Sequence, residues 1–306
     1  MKPLMLLTAV LLIATASTVA EAQVVHEERS LYRNILVEDR GRERCLLFSE
    51  RRRSGAYQTC IDREDPDRLV FSYVRMMFAG LLLSPAPERI LLIGLGGGTM
   101  PRVLDALYPK AQHDLVEIDP AVVRVAEDFF DFARSANMRV HERDGRVFVK
   151  RALLSEQKWD LILLDAFTDE YIPEHLLTRE FLEELKGLLS EEGVVVANTF
   201  ANSRLYHHES ATYRAAFPTV ASLRESGSFN RILIGLNRPW PDQATLEARA
   251  SALAPALARF GVGIEGYAGA LRTDWTYDRR ARVLTDRYAP ANLLQGRSVL
   301  GPLQKE

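Results

Sequence analysis

Short, wholly apolar runs alternate with longer amphipathic stretches through the middle of the chain. The apolar runs cover residues 90–93, 115–116, 161–164 and 194–197. Such runs are typical of strands that are buried on both faces of a parallel sheet. The stretches between them predict helices over residues 100–107, 121–134 and 181–189. Alternating strands and helices predict right-handed βαβ units and an α/β fold with a Rossmann-like, doubly wound, mostly parallel sheet.

The segments on either side of this pattern differ from it. Residues 23–75 contain weak alternation at 34–38 and a polar turn at 51–55 between runs at 45–48 and 56–60, which predicts a hairpin and a small β-domain. Strands at 219–223 and 231–236 add an antiparallel edge, and an Ala-rich helix is predicted over 243–259. We therefore predict a β-domain at 23–75, a Rossmann-like domain at 76–240, and a C-terminal helix and tail at 241–306.

The first 22 residues have the pattern of a secretory signal. Lys2 precedes an apolar run over residues 4–20, and Ala20-Glu21-Ala22 has the small-x-small pattern of a cleavage site. The run is rich in small residues and shorter than a stable membrane span requires. The sequence thus predicts a cleaved signal peptide at 1–22 and an exported, periplasmic or secreted protein. An uncleaved membrane anchor is the alternative.

The two cysteines of the chain flank the predicted hairpin turn. Pairing the strands about the centre of that turn gives three opposed pairs: Ser49 with Ala56, Leu47 with Gln58, and Cys45 with Cys60. Directly opposed residues lie within the distance that a disulfide bridges, and an exported protein meets an oxidising compartment. We predict a Cys45–Cys60 disulfide. Two buried free thiols on one sheet face are the alternative.

Composition narrows the range of partners. A formal net charge of −2 argues against nucleic acid as a partner. Six histidines and two cysteines offer few ligands for a soft metal, and His207 and His208 lack a second ligand pair at metal spacing. We predict no metal site and interpret these two histidines as the start of a helix over residues 209–217.

Glycines follow the first apolar run directly, where glycine permits a tight turn and close approach to a ligand. They are Gly94, Gly96, Gly97 and Gly98. Glu117 comes 23 residues after Gly94, at the end of the next strand, where an acid accepts hydrogen bonds from ribose hydroxyls. Asp119 before Pro120 has the pattern of a helix N-cap and lies at the same strand end. We expect the glycines, Glu117 and Asp119 to form a nucleoside site.

Two further acids follow later strands. Asp144-Gly145 comes after a predicted strand at 138–141, where the acid can accept a hydrogen bond from an adenine amino group; an ordinary turn is the alternative. Asp165 follows the apolar run 161–164. The carboxyl ends of parallel strands meet at one crevice, so Glu117, Asp144 and Asp165 are expected to converge there. An acid that binds ribose hydroxyls suits NAD and S-adenosyl nucleosides alike and disfavours a 2′-phosphate.

Taken together, these motifs resemble the spermidine synthase family. The resemblance rests on residues 90–98, 116–119, 144–145 and 160–165, on Ser30-Leu31-Tyr32-Arg33, and on the tail at 284–290. It implies a small N-terminal β-domain before a sheet of the S-adenosylmethionine-dependent methyltransferase type. It also implies transfer of an aminopropyl group from decarboxylated S-adenosylmethionine to an amine.

The resemblance implies a role for each matching residue. Those on the nucleoside side are Gln58, Glu117 for the ribose, and Asp144 with Gly145 for the adenine. Those on the amine side are Tyr73 and Asp165, which would deprotonate or orient the attacking amine. S-adenosylmethionine or its decarboxylated form would be a co-substrate, with no tightly bound cofactor. A small-molecule amine is the expected partner, and a homodimer stays open.

The sequence departs from the family in the half of the site that holds polyamines. Thr99 stands where the family has an Asp that meets the cationic end of the donor. Val74 and Arg75 stand where the family has His or Gln followed by Glu. Asp169, the second acid of the loop after Asp165, comes one residue later than in the family, and we interpret it as a second catalytic residue.

His175 lies in the loop after Asp165, which is expected to cover the crevice. We interpret it as a substrate-binding residue that could also transfer a proton; an ordinary loop residue is the alternative. Three functions stay open: a spermidine-synthase-like transferase, a methyltransferase that uses S-adenosylmethionine on the same scaffold, and an exported family member without catalytic activity.

Overall fold

The computed structural model describes residues 22–48, 57–167, 172–202 and 204–290. Its strands are β1 (Gln23–Arg29), β2 (Asn34–Arg40), β3 (Glu43–Leu47), β4 (Tyr57–Asp62), β5 (Arg89–Ile93), β6 (Gln112–Glu117), β7 (Met138–Glu142), β8 (Trp159–Leu164), β9 (Leu189–Phe200), β10 (Thr219–Leu223) and β11 (Asn230–Leu236). Its α-helices are α1 (Ser72–Met77), α2 (Thr99–Leu107), α3 (Pro120–Phe129), α4 (Gly145–Leu154), α5 (Arg179–Gly187), α6 (Leu205–Ala216), α7 (Gln243–Leu257) and α8 (Ile264–Ala270). Three short 3₁₀ segments lie at Phe78–Leu82, Glu174–Leu176 and Ala258–Phe260.

The N-terminal unit is the predicted small β-domain. Strands β1 to β4 form an antiparallel sheet in chain order. One face of this sheet packs on α3, where Ile35 and Leu46 join Val122 and Phe130 in one buried apolar cluster. The sheet ends at Asp62, before the predicted boundary at residue 75. That boundary falls inside α1, whose buried side chains belong to the core of the larger unit.

The hairpin of β3 and β4 carries the predicted disulfide. Cys45 pairs with Cys60 across the two strands and is bonded to it, with the Cα atoms 4.1 Å apart. The predicted pairing of Leu47 with Gln58 is wrong, because the register shifts and Leu47 pairs with Tyr57. A β-bulge that inserts one extra residue, Gln58, into β4 has this effect. The predicted pair Ser49 and Ala56 lies outside the described residues.

The second unit is the predicted α/β domain. Its seven strands follow the order β10-β11-β9-β8-β5-β6-β7, with β5 to β9 parallel and with β11 and β10 added antiparallel at one edge. Apolar side chains of β5 alternate between two cores, with Leu92 on one face and Leu91 on the other. Helices α1, α2, α7 and α8 cover the first face, and α4, α5 and α6 cover the second. The fold class predicted from the apolar runs is confirmed.

Several predicted helix bounds differ from the structure. The helix predicted over 181–189 spans Arg179–Gly187, and the helix predicted over 243–259 ends at Leu257. The helix predicted over 121–134 ends at Phe129, because Asp131 adopts a left-handed conformation and the buried Phe132 packs on the turn before α2. His207 and His208 do not precede a helix but lie in the first turns of α6. Both contact the C-terminal segment through backbone groups of Asp278 and Arg282.

The C-terminal segment returns to the α/β domain. Helices α7 and α8 pack together and against the core on the first face. Leu284, farther along, is fully buried in the core on the second face. Among the described residues, no helix combines the length and the apolar character needed to cross a bilayer. The predicted signal peptide, apart from Ala22, lies outside the described residues.

Candidate active site

A cavity of about 300 Å³ opens at the carboxyl ends of the parallel strands. It lies where the strand order reverses, because β6 and β8 flank β5 on opposite sides, and ligands of open α/β sheets bind at this switch point. The predicted residues that line it are Gln58, Tyr73, Gly94, Gly96, Glu117, Asp144, Gly145, Asp165 and His175. Asp169 lies outside the described residues.

The glycine turn brings the ends of β5 and β8 together. Gly94 has a φ of +96°, and a Cβ added there would overlap the backbone carbonyl of Asp165. Only glycine fits both conditions. Gly97 and Gly98 do not line the cavity. The Gly97 N–H donates to Thr59 Oγ1 at 3.0 Å, and a Cβ on Gly98 would meet Phe132, so both glycines permit close packing behind the cavity.

Glu117 is buried at the end of β6 and is held by two backbone groups. Its Oε2 accepts from the Leu95 N–H at 3.1 Å, and its Oε1 accepts from the Asp119 N–H at 3.0 Å. Burial raises the pKa of the Glu117 carboxyl, while these two bonds and the charge of Arg33 act in the opposite direction. Each oxygen keeps a lone pair, so the carboxylate can still accept from two hydroxyl groups.

Asp119 does not line the cavity. Its Oδ1 accepts from the Ala121 N–H at 3.0 Å and caps α3, and its Oδ2 accepts from the Ser30 hydroxyl at 2.5 Å. Arg33 approaches the same oxygen at 3.8 Å. With 1% of its surface exposed, Asp119 ties the β1–β2 turn to the α/β domain. Its predicted contact with a nucleoside is therefore replaced by a capping and bridging role.

Asp144 and Gly145 form another wall of the cavity at the start of α4. Asp144 Oδ1 accepts from the Val147 N–H at 2.9 Å, and Oδ2 lies 2.7 Å from His175 Nε2. The bond to His175 is the largest cause that lowers the pKa of the Asp144 carboxyl. A Cβ on Gly145 would lie 2.6 Å from a methyl group of Ile93, so glycine lets α4 approach β5 closely. His175 is thus paired with Asp144 and not with Asp165.

Asp165 lies directly after β8 among polar partners. Its Oδ1 accepts from Asn198 Nδ2 at 2.9 Å, and the Asn198 carbonyl oxygen accepts from Asn230 Nδ2 at 2.9 Å. The Tyr73 hydroxyl donates to the Gln58 carbonyl oxygen at 3.2 Å, and burial together with the nearby Asp165 carboxyl raises the pKa of Tyr73 well above its usual range. Burial raises the pKa of Asp165 to about 7, although the bond from Asn198 and the nearby Tyr73 hydroxyl lower it. A carboxyl with this pKa can accept a proton near neutral pH.

Several residues at the site carried no assignment from the sequence. Arg33 lines the cavity, lies over the Phe48 ring at 4.3 Å, and donates to the Phe167 carbonyl oxygen at 3.3 Å. Asn198 directly follows the apolar run 194–197 of β9, and that interruption was the available signal. Thr59 had no signal, because its contact with Gly97 crosses between the two domains.

The departures from the family pattern lie away from the cavity lining. Thr99 is the first residue of α2 and is nearly buried. Val74 belongs to the core. The Arg75 guanidinium donates to the backbone carbonyls of Leu69 and Val70 at 2.6 and 2.7 Å. Arg75 therefore does not oppose a cationic substrate, as it would if it faced the site.

The described residues hold one group of side chains at metal-ligand distance, formed by Glu43, Cys45 and Cys60. The two sulfur atoms are bonded to each other. Disulfide sulfurs are not the thiolates that bind metals, so this group reflects the hairpin and not a metal centre.

Two comparisons of the sequence with known proteins agree with each other. The family model described as "Spermine/spermidine synthase domain" matches residues 70–221. A polyamine aminopropyltransferase of Vibrio vulnificus is 48% identical over 299 residues, which cover 96% of this chain and 99% of that protein.

Comparisons with solved structures give two kinds of neighbour. Human methyltransferase-like protein 13, in complex with SAH, superposes with a TM-score of 0.58 at 27% identity and covers 69% of this chain and 97% of its own. Spermidine synthase from Thermotoga maritima superposes with a TM-score of 0.56 at 18% identity, covering 77% of this chain and 87% of its own, a likeness that concerns the fold.

Proposed function

Because the chain belongs to the spermine/spermidine synthase family, we propose that it is an aminopropyltransferase that uses decarboxylated S-adenosylmethionine and a polyamine-type amine. The observation that carries this proposal is Asp165, an acid with a pKa of about 7 at the carboxyl end of β8. It lies in the same cavity as Glu117, a carboxylate that can accept hydrogen bonds from two hydroxyl groups. The 48% identity to a polyamine aminopropyltransferase supports the same reaction.

In this proposal the nucleoside is bound by the ends of β6 and β7. The Glu117 carboxylate accepts from the two ribose hydroxyls with its remaining lone pairs. Asp144 and the start of α4 contact the adenine. The nucleoside arrives as a co-substrate and leaves with each turnover, so the site holds no resident cofactor.

The reaction needs an unprotonated amine, because an ammonium has no lone pair for attack. Asp165 binds the acceptor amine and takes its proton, and Asn198 holds the carboxyl in place. The amine nitrogen then forms a bond to the propyl carbon beside the sulfonium, and the carbon–sulfur bond breaks with its electron pair left on sulfur. The products are an aminopropylated amine and 5′-methylthioadenosine. Positioning supplies most of the rate, because the sulfonium is a good leaving group.

A methyltransferase is the second candidate. Thr99 replaces the acid that would meet the ammonium of the decarboxylated donor, and a 27% identical neighbour of known structure is a methyltransferase-like protein bound to SAH. On this alternative the donor is S-adenosylmethionine, and the same Asp165 receives the proton of the methylated group.

Turnover assays with each donor distinguish the candidates. The purified protein is incubated with putrescine and either decarboxylated S-adenosylmethionine or S-adenosylmethionine, and products are identified by mass spectrometry. We expect 5′-methylthioadenosine and an aminopropylated amine with the first donor. Methylated product with the second donor alone would replace our proposal by the methyltransferase. No product with either, together with no nucleoside binding, would support the non-catalytic alternative.

Nucleoside recognition is tested by Glu117→Gln, which keeps the side-chain shape and removes the charge. Hydrogen bonds to a charged group contribute about 1.5–3 kcal/mol, so the affinity for 5′-methylthioadenosine should fall about tenfold or more. The matched control is Glu142→Gln, an exposed acid at the end of the neighbouring strand β7. Equal affinity of the Glu117 variant and the control would contradict the ribose contact.

A further inference from the structure

The C-terminal segment at 284–288 is fastened to the outside of the cavity wall. Leu284 is fully buried, its carbonyl oxygen accepts from the Arg179 N–H at 2.8 Å, and its N–H donates to Thr212 Oγ1 at 2.9 Å. Thr285 and Tyr288 exchange backbone hydrogen bonds and form a tight turn. This turn presents Asp286 to the α/β domain.

Asp286 is the centre of a dense set of hydrogen bonds. Its Oδ1 and Oδ2 accept from the two terminal nitrogens of Arg146 at 2.6 and 2.8 Å, in a bidentate pair. Its Oδ1 also accepts from the Thr178 hydroxyl at 2.7 Å, and its N–H donates to Glu180 Oε2 at 3.1 Å. An isolated ion pair at this exposure would contribute little, so the geometry of the whole set is what fixes the segment.

Arg146 connects the tail to the nucleoside wall. It follows Asp144-Gly145 directly and has a side chain that is 10% exposed. Its guanidinium makes a second bidentate pair with Glu184 of α5, with both bonds at 2.9 Å. One terminal nitrogen also donates to the His175 carbonyl oxygen at 3.3 Å.

The contacts form a continuous path from the tail to the cavity. Asp286 holds Arg146, Arg146 holds the backbone of His175, and the His175 ring bonds to Asp144 at 2.7 Å. If Asp286 loses its charge, Glu184 stays as the only carboxylate among the described residues that bonds to the Arg146 guanidinium. The guanidinium is then drawn toward α5 and away from the His175 carbonyl, which frees the wall that carries Asp144.

We propose that Asp286 is a positioning residue for the adenine end of the nucleoside site. It acts through Arg146 and His175 on Asp144 and does not touch the nucleoside itself. The inference rests on the proposed function, because the positioned wall is the one that is assigned to the adenine. It explains why a tail that lies more than a hundred residues from the strand ends is bonded so densely at this one place.

The test compares two nucleosides on two single-charge variants. Calorimetric titration measures the affinity for 5′-methylthioadenosine and for its analogue with hydrogen in place of the 6-amino group. Asp286→Asn is the test variant. Glu183→Gln is the matched control, because Glu183 is an exposed acid of α5 and its ion pair within the described part of the chain is with Arg179 at the surface.

We expect Asp286→Asn to bind 5′-methylthioadenosine about tenfold more weakly, by loss of a well-placed charged hydrogen bond, and to bind the analogue nearly as the parent does. The ratio of the affinities for the two nucleosides therefore falls toward one. A general loss of stability would not cause this change. Arg146→Lys, which keeps the charge and loses the bidentate fork, should lower the ratio in the same way if Asp286→Asn does not fold.

Three outcomes would count against the inference. An unchanged ratio in folded Asp286→Asn, with normal nucleoside binding by the parent, would overturn the role of Asp286 and leave the proposed function intact. An equal fall of the ratio in Glu183→Gln would show a nonspecific charge effect and would overturn it too. A parent protein that binds neither nucleoside would overturn the proposed function, and this inference with it.

Discussion

Asp165 combines two properties that oppose each other, since it is buried and it also accepts hydrogen bonds suited to its ionised form. Burial is the larger effect and raises its pKa to about 7, while Asn198 and Tyr73 prevent a larger rise. A base with this pKa is largely ionised just above neutral pH. Its proton affinity is still high enough for it to take a proton from the amine. The single substitution Asp165→Asn therefore affects turnover and stability in opposite directions.

For turnover, we expect kcat/KM of the parent to rise with pH through a midpoint near 7, as Asp165 ionises. Asp165→Asn should reduce turnover by about a hundredfold or more, the usual range for loss of a general base, and should flatten this pH dependence. Nucleoside affinity, measured by titration calorimetry, should change little. An equal loss of affinity and turnover would make Asp165 a nucleoside ligand instead.

For stability, the raised pKa means that the folded protein binds the Asp165 proton more tightly than the unfolded chain. The resulting stabilisation is complete below about pH 4, where both states are protonated, and is lost as the pH rises toward 7. Asp165→Asn has no such loss, so it should be more stable than the parent at pH 8, by on the order of 2 kcal/mol, with the advantage shrinking toward pH 4. Urea unfolding at both pH values measures this, and a constant difference would contradict it.

At the scale of elements, the β3–β4 hairpin joins the disulfide to the glycine turn. Cys60 is bonded to Cys45, and the preceding residue, Thr59, accepts from the Gly97 N–H at 3.0 Å. The bulge at Gln58 lies immediately before Thr59 on the same strand. The disulfide thus fixes the part of the β-domain that contacts the cavity. Its contribution to the free energy of unfolding can be measured separately from catalysis.

We expect the double variant Cys45→Ala with Cys60→Ala to have a lower free energy of unfolding. The bond closes a loop with a sequence separation of 15, for which the chain-entropy model gives up to about 3 kcal/mol. Urea unfolding with and without a reductant checks it. The reductant should lower the free energy of unfolding of the parent and leave that of the double variant unchanged. A parent whose free energy of unfolding does not change with the reductant would show that the bond does not stabilise the fold.

At the scale of the whole molecule, the disulfide and the N-terminal pattern support one proposal. We propose that the protein is exported and that residues 1–22 are removed, because a disulfide persists in an oxidising compartment. The material in the exported fraction should begin at Gln23 by N-terminal sequencing and contain no free thiol after denaturation. A variant without residues 2–22 provides the control and should accumulate in the cytosol with two thiols per chain.

An N-terminus at Met1 in the exported fraction would support the membrane anchor instead. Two free thiols per chain in that fraction would contradict the proposed compartment. The two measurements are independent, so a cleaved but reduced protein would separate signal processing from oxidation.

The sequence by itself determined the features that are local or periodic. Runs of apolar residues predicted strands buried on both faces, since each such side chain must leave water whichever partner it meets. The positions of Glu117, Asp144 and Asp165 at strand ends predicted their convergence, because parallel strands place their carboxyl ends at one edge. The symmetry of the hairpin turn predicted the Cys45–Cys60 bond.

Only the tertiary structure decided the features that depend on contacts between distant segments. Asp119 carries the same strand-end pattern as Glu117, yet contact with Ser30 turns it away from the cavity. His175 meets Asp144 across the cavity wall, and Arg146 of α4 bonds to the His175 backbone there. The pKa of Asp165 depends on Asn198 and Tyr73, which come from other elements. Such contacts follow from the packing of whole elements, and burial and charge pairing at that scale leave no periodic signal in the chain.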